Sequence, residues 1–216
     1  MFEQWILPIF YKKDEQGEKD TLAGQCVWVN NYLITAAHVV DKINNEPYVR
    51  LRGEELSLVK EEAIAYSYTP QINKLEDYED YAIFHVINKL RSPLHLSEII
   101  SNNNMTCFYN KKQQRQEICD TKRGTIWETL DQEPILTNEM RFFCSSAKLD
   151  AVLSSKLFQC EISPVLSEGD SGCPIMINNN VVGILLGAFT QNINIHLFQS
   201  AAYIKKILDQ CLANSL

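Results

Sequence analysis

Short apolar runs rich in β-branched and aromatic residues recur along this chain, each closed by a polar turn. The first lies in "MFEQWILPIFYKKDEQ", and "QCVWVNNYLITAAHVV" holds two more, joined at Asn30–Asn31, a pair suited to a hairpin. "PYVRLR" alternates as a half-buried strand does. "AIAYSY", "DYAIFHVI", "TCFYN", "RGTIWETL", "MRFFCSSA", "KLFQCEI", "CPIMIN", "VVGILLGAF" and "NIHLFQSAAYI" follow at fairly even spacing. Many short strands without alternating helices predict an all-β sandwich or barrel. Asparagine clusters at 102–104 and 178–180 read as turns. Two segments depart from the rule. "SPLHLSEII" reads as an extended connector around Pro93, linking two halves. The end, "SAAYIKKILDQCLANSL", sets Ala202, Ile204, Ile207, Leu208, Cys211 and Leu212 at helical spacing, with Ser200 placed to cap them. The pattern divides the chain into residues 1–95, 96–199 and 200–216: two sets of about six strands, then one helix.

Composition narrows the function classes. The 216 residues are 45% hydrophobic and 22% charged, ordinary for a soluble globular protein. A net charge of -7 argues against a nucleic-acid binder. Lys111, Lys112 and Arg115 cluster, but among Gln and Asn, which reads as a solvated loop. No window approaches the length of apolar residues that spans a membrane, and the start lacks the basic region and cleavage site of a signal peptide. Seven cysteines, an odd number without a C-x-x-C pair, speak against a disulfide framework and a zinc ribbon. Unpaired thiols and no leader point to the cytoplasm.

One stretch carries candidate chemistry. "PVLSEGDSGCPIM", Pro164 to Met176, packs polar residues between two apolar runs. Gly, Asp and Ser are common turn residues, so these letters fit a plain turn as well as a reactive serine. A nucleophilic serine needs a base, an acid that orients the base, and backbone donors for the oxyanion. Of four histidines, His38 ends the apolar strand of "YLITAAHVV" after two small alanines that let its ring project. His85 lies inside a strand and reads as core or half-buried, and His95 falls in the connector. Asp80 immediately precedes the apolar strand Tyr81–Ile87, which anchors its backbone. Asp77 and Glu79 read as a solvated, flexible acidic approach.

Taken together, "LITAAHVV", "DYAIFHV" and "GDSGCP" resemble, in order, the His, Asp and Ser signature segments of trypsin-like (chymotrypsin-fold) serine proteases. The resemblance runs from about Gly24 to the terminal helix. It implies an all-β chymotrypsin-like double barrel, two six-stranded antiparallel β-barrels followed by a C-terminal α-helix. It assigns Ser171 as nucleophile, His38 as general base and then acid, and Asp80 as the group holding the imidazole. The N–H groups of Gly169 and Ser171 would form the oxyanion hole. The implied partners are a protein or peptide substrate and a regulatory protein, with no cofactor, metal, nucleic acid or membrane.

Departures from the family pattern refine this expectation. Cys173 replaces a second glycine and is a candidate thiol-sensitive point. No I-V-G-G segment, whose freed amine would pair with the acid before the serine, precedes His38. Asp170 therefore needs another partner, for which a backbone or tyrosine donor is expected, and the protein is not a zymogen of that kind. By the family pattern Val165, Leu166, Leu186, Gly187, Ala188 and His196 line the substrate site. Val165 stands where enzymes selective for basic residues carry an acid, which favours an apolar or uncharged side chain before the scissile bond. His196 either tunes the pocket toward a polar or acidic side chain or is an ordinary strand histidine. The reading is a processing protease of limited specificity or a regulated effector, for instance in bacterial stress or antiviral defence. The alternatives are an inactive protease-like binding module and a viral polyprotein-processing protease.

Overall fold

A computed structural model describes residues 2–12, 20–41, 46–51, 54–70, 74–87, 92–99, 105–112 and 140–214. The strand expected at "RGTIWETL", the turn at 102–104, Arg115 and Cys119 lie outside them. The described chain forms two sheets in sequence, antiparallel except where β8 joins β13. The first contains β1 (Ile6–Lys12), β2 (Asp20–Val29), β3 (Tyr32–Thr35), β4 (Tyr48–Leu51), β5 (Glu54–Ser57), β6 (Ala65–Tyr68) and β7 (Asp80–His85), in the order β5-β4-β1-β2-β3-β7-β6. A one-turn helix, α1 (Ala37–Val40), follows β3. The second sheet contains β8 (His95–Leu96), β9 (Met105–Lys112), β10 (Met140–Val152), β11 (Leu157–Ser163), β12 (Pro174–Ile177), β13 (Asn180–Phe189) and β14 (Asn192–Ser200). Its order is β12-β9-β10-β11-β14-β13-β8, and a β12–β13 pairing closes six of these strands into a barrel. The helix α2 (Ala201–Ala213) ends the fold.

This is the double-barrel architecture of the chymotrypsin fold, with two short strands, β5 and β8, where the apolar pattern predicts none. Strand β5 is mostly polar and half-exposed, so it carries no apolar run to announce it. Strand β8 lies in the expected connector and pairs in parallel with β13, His95 opposite Asn180. The hairpin at Asn30 is as predicted, with φ of 52°, a left-handed conformation that asparagine tolerates.

Inward-facing residues form the cores. Trp5 meets Trp28 edge-on at 5.2 Å in the first barrel, and Phe158 stacks on Phe198 at 5.3 Å in the second. Full burial of each such ring stabilises the fold by about 1.5–3 kcal/mol. Helix α2 buries Ala201, Ile204 and Leu208, while Leu212 is 48% exposed although its neighbour Cys211 still reaches the Ile64 carbonyl. Ser200 occupies the N-cap position, yet its side chain makes no capping bond. His85, expected inside, points outward from β7 beside the Tyr32 ring.

Candidate active site

The first barrel supplies a histidine and a carboxylate already joined. Strand β3 is apolar through Ile34, and Ala36 and Ala37 are fully buried, so the backbone packs closely where α1 begins. Val39 and Val40 turn inward and the His38 side chain stays 21% exposed. Asp80, the first residue of β7, is wholly buried. Its Oδ1 accepts the His38 backbone N–H at 2.9 Å, and its Oδ2 lies 2.6 Å from His38 Nδ1. Oδ2 also accepts the Tyr78 hydroxyl at 2.9 Å. A carboxylate can only accept, so the ring proton sits on Nδ1 and the lone pair on Nε2. Three donors thus offset the desolvation of this buried charge.

The second barrel supplies the serine on a tight loop between β11 and β12. Gly169 and Gly172 both have φ of +86°, a conformation that costs other residues strain. Asp170 N–H bonds the Ser167 carbonyl at 3.1 Å, Cys173 N–H the Asp170 carbonyl at 3.1 Å, and Gly172 N–H the Leu185 carbonyl at 2.8 Å. The N–H groups of Gly169 and Ser171 meet no acceptor among the described residues.

Contacts across the barrels set this loop against β2, which also meets α1. The Ser171 carbonyl accepts Gln25 N–H at 2.8 Å. A Cβ on Gly24 would lie 2.7 Å from the Val39 γ-carbons and 2.8 Å from the Ser171 carbonyl oxygen, so only glycine fits between the serine and the neighbour of His38. The buried Gln25 carboxamide donates to the Gly169 carbonyl at 3.0 Å and the Asn110 carbonyl at 2.9 Å, and accepts Asn110 N–H at 3.1 Å.

Asp170 is also fully buried. Its Oδ2 accepts Ser167 N–H at 2.7 Å and lies 3.3 Å from Lys111 Nζ. Burial pushes its carboxyl above the ordinary range, against the pull of Ser167 and Lys111. The expected backbone donor is present; beside it stands a lysine rather than a tyrosine. Lys111 lies on β9 and not in a solvated loop, because β9 extends beyond its apolar residues. Cys173 is buried, and that burial pushes its thiol well above the ordinary value.

The residues expected to line the substrate site are linked through His196, which pairs with Ala188 and lies against the Leu166 backbone. Leu186, Gly187 and Ala188 line a cleft of about 190 Å³ with Tyr78, Phe189 and Leu197. Nothing lies within 4 Å of a Cβ built on Gly187, so that wall is open. Val165 is half-buried and Leu166 buried, both before the serine loop. His196, opposite Ala188 on β14, is 1% exposed. Its Nδ1 lies 3.2 Å from the Asn194 carbonyl oxygen, and burial pushes its imidazole below the ordinary value.

Residues that the pattern did not single out tie the site together. Glu79 is no solvated face: its Oε1 meets Lys156 Nζ and the Tyr203 hydroxyl, each at 2.5 Å, and its Oε2 accepts Ser67 at 2.8 Å. Gln199 Oε1 accepts the Asp80 N–H at 3.2 Å while its Nε2 donates to the Lys156 carbonyl at 2.9 Å. Gln25 and Gln199 each interrupt an apolar run, and that interruption is the signal that marks them; Asn110 only closes one and carries no such signal.

Similarity to known proteins fits this geometry. No curated protein sequence matches the chain. The Rv3671c protease of M. tuberculosis in its active form aligns with a TM-score of 0.60 and 18% identity, over 96% of this chain and 81% of that one. A scabies mite inactivated protease paralogue aligns at 0.61 and 12%, over 98% and 93%. Tobacco etch virus protease, in complex with substrate, aligns at 0.57 and 12%, over 93% and 80%. At such identities these likenesses show the fold alone. The family model described as Trypsin matches residues 4–208, nearly the whole length, and the chain belongs to that family.

Proposed function

We propose that this protein is a serine endopeptidase working through Ser171, His38 and Asp80. The observation that carries the reading is the 2.6 Å contact between His38 Nδ1 and the buried Asp80 carboxylate, with Gly24 lodged between Val39 of the same helix and the Ser171 carbonyl. Ser171 Oγ attacks the scissile carbonyl carbon as its proton passes to His38 Nε2. The carbonyl oxygen takes the negative charge and is held by the N–H groups of Gly169 and Ser171. Collapse breaks the C–N bond, the Nε2 proton goes to the leaving amine, and an acyl-serine remains. Water, deprotonated by Nε2, releases the acid and restores the hydroxyl. Asp80 stays ionised throughout and keeps the imidazole oriented.

Substrate enters as an extended peptide along Leu186–Ala188, pairing by strand addition in the apolar cleft beside Tyr78. The residue before the scissile bond is apolar or uncharged, since Val165 offers no acid. The thiols of Cys26, Cys107, Cys144, Cys160 and Cys173 suit a reducing compartment, where the enzyme trims a limited set of proteins.

The test compares new terminal peptides produced in host lysate by wild type and by Ser171→Ala, together with fluorophosphonate labelling. Wild-type-only cuts and a labelled Ser171 are expected. No labelling and identical peptide sets would instead indicate an inactive binding module.

A further inference from the structure

We propose that Lys111 is a positioning residue: its ammonium, 3.3 Å from the buried Asp170 carboxylate, holds the oxyanion loop in its working shape in the intact chain. The proposal rests on the serine peptidase reading and adds how that site is kept competent.

Asp170 separates the two residues whose N–H groups face an oxyanion, and its carbonyl belongs to the peptide that carries the Ser171 N–H. Its side chain is 0% exposed, and Oδ1 has no hydrogen-bond partner among the described residues. All its support reaches Oδ2: Ser167 N–H at 2.7 Å, Ser167 Oγ at 3.4 Å and Lys111 Nζ. Lys111 brings the one cation paired with this carboxylate among the described residues. Two donors from a neutral serine do not neutralise a buried charge. Without the lysine, the carboxylate must take up a proton or swing toward water, and either event re-aims the Asp170–Ser171 peptide.

Strand β9 is built for this role. Asn110, the neighbour of Lys111, grips Gln25, whose carboxamide holds the Gly169 carbonyl. Consecutive β9 residues thus secure the carbonyl of Gly169 and the side chain of Asp170. Lys111 also lies over the Tyr109 ring at 5.0 Å, which limits the paths its ammonium can take. A cation supplied from within the fold takes the place that the family gives to an amine released by cleavage.

The experiment uses the full chain and a peptide cut by wild type. Lys111→Met should lower kcat by about 100-fold, the scale of losing one oxyanion donor, while KM moves by less than about threefold. Lys111→Arg should keep most of the activity. Lys111→Met combined with Asp170→Asn should recover part of what Lys111→Met loses, because no uncompensated carboxylate remains. An extension ahead of Met1 should leave the rate unchanged. Amide hydrogen exchange over 167–173, followed in a Ser171→Ala background, should accelerate by about tenfold on adding Lys111→Met. Wild-type kcat or unchanged exchange in Lys111→Met overturns the proposal, as does an equal loss in Lys111→Arg or inactivation by the extension. If wild type neither cuts nor labels, the peptidase reading fails, while the exchange measurement still decides the role of Lys111.

Discussion

Asp80 and Asp170 are both fully buried, both lie beside a residue of the proposed triad, and they are held in opposite ways. Asp80 has donors on both oxygens, from the His38 backbone, the His38 ring and Tyr78. Asp170 has donors on one oxygen only and leans on a lysine from another strand. The oxygens of the first carboxylate are held by groups within its own barrel and helix, while its backbone amide is held by Gln199 from the other barrel. The second depends on a single charge pair, and burial still lifts its carboxyl above the ordinary range. A fully satisfied buried charge makes a rigid part, whereas a partly satisfied one makes a part that its neighbours must hold.

The largest expected effect comes from the rigid side. Asp80→Asn should cut kcat by about 10⁴-fold, since the amide favours the wrong imidazole tautomer, with little change in KM. A loss no greater than that of Lys111→Met would break the contrast between the two acids. Gly24→Ala attacks the place where the regions meet. Its methyl, 2.7 Å from Val39, should destabilise the protein by about 1–3 kcal/mol and depress activity as the serine loop is pushed from α1, read by denaturant midpoint and peptide cleavage. Tyr78→Phe removes one of three donors to Asp80 and should lower kcat by about tenfold.

The smallest effects lie in pH dependence, where the signs separate two acids. Burial of Glu79 is outweighed by Lys156, Tyr203 and Ser67, which hold its carboxyl below the ordinary value. Its contribution to stability is present above that ordinary value and lost as pH falls through the depressed one. Glu79→Gln should therefore lower Tm at neutral pH, with the gap to wild type closing in acid. Asp170 is raised, so the folded state binds its proton more tightly, and stability falls as pH rises from the ordinary value through the raised one. Asp170→Asn should gain on wild type over that rise. Parallel Tm profiles for the two variants would remove the distinction.

The strand pattern, the hairpin at Asn30 and the His38, Asp80 and Ser171 segments were legible in the sequence because each is local: a period, a turn pair, a short motif. The partners of the charged residues were not. Glu79 resembles solvated surface until Lys156, 77 residues away, arrives from the other barrel. Lys111 sits among polar letters that suggest a loop, and only the pairing of β9 with β10 and β12 turns it toward Asp170. His85 keeps strand periodicity but points outward, since alternation fixes that faces differ and not which face is covered.

Gln199 accepts the amide of Asp80, and the Leu185 carbonyl receives the amide after Ser171. Both partners follow the serine in the chain. The placement of Asp80 and of the serine loop therefore rests in part on residues made after Ser171. On the proposed peptidase reading, hydrolytic power waits until Gln199 has been made and the halves have docked, which would shield neighbouring nascent chains from a half-made enzyme.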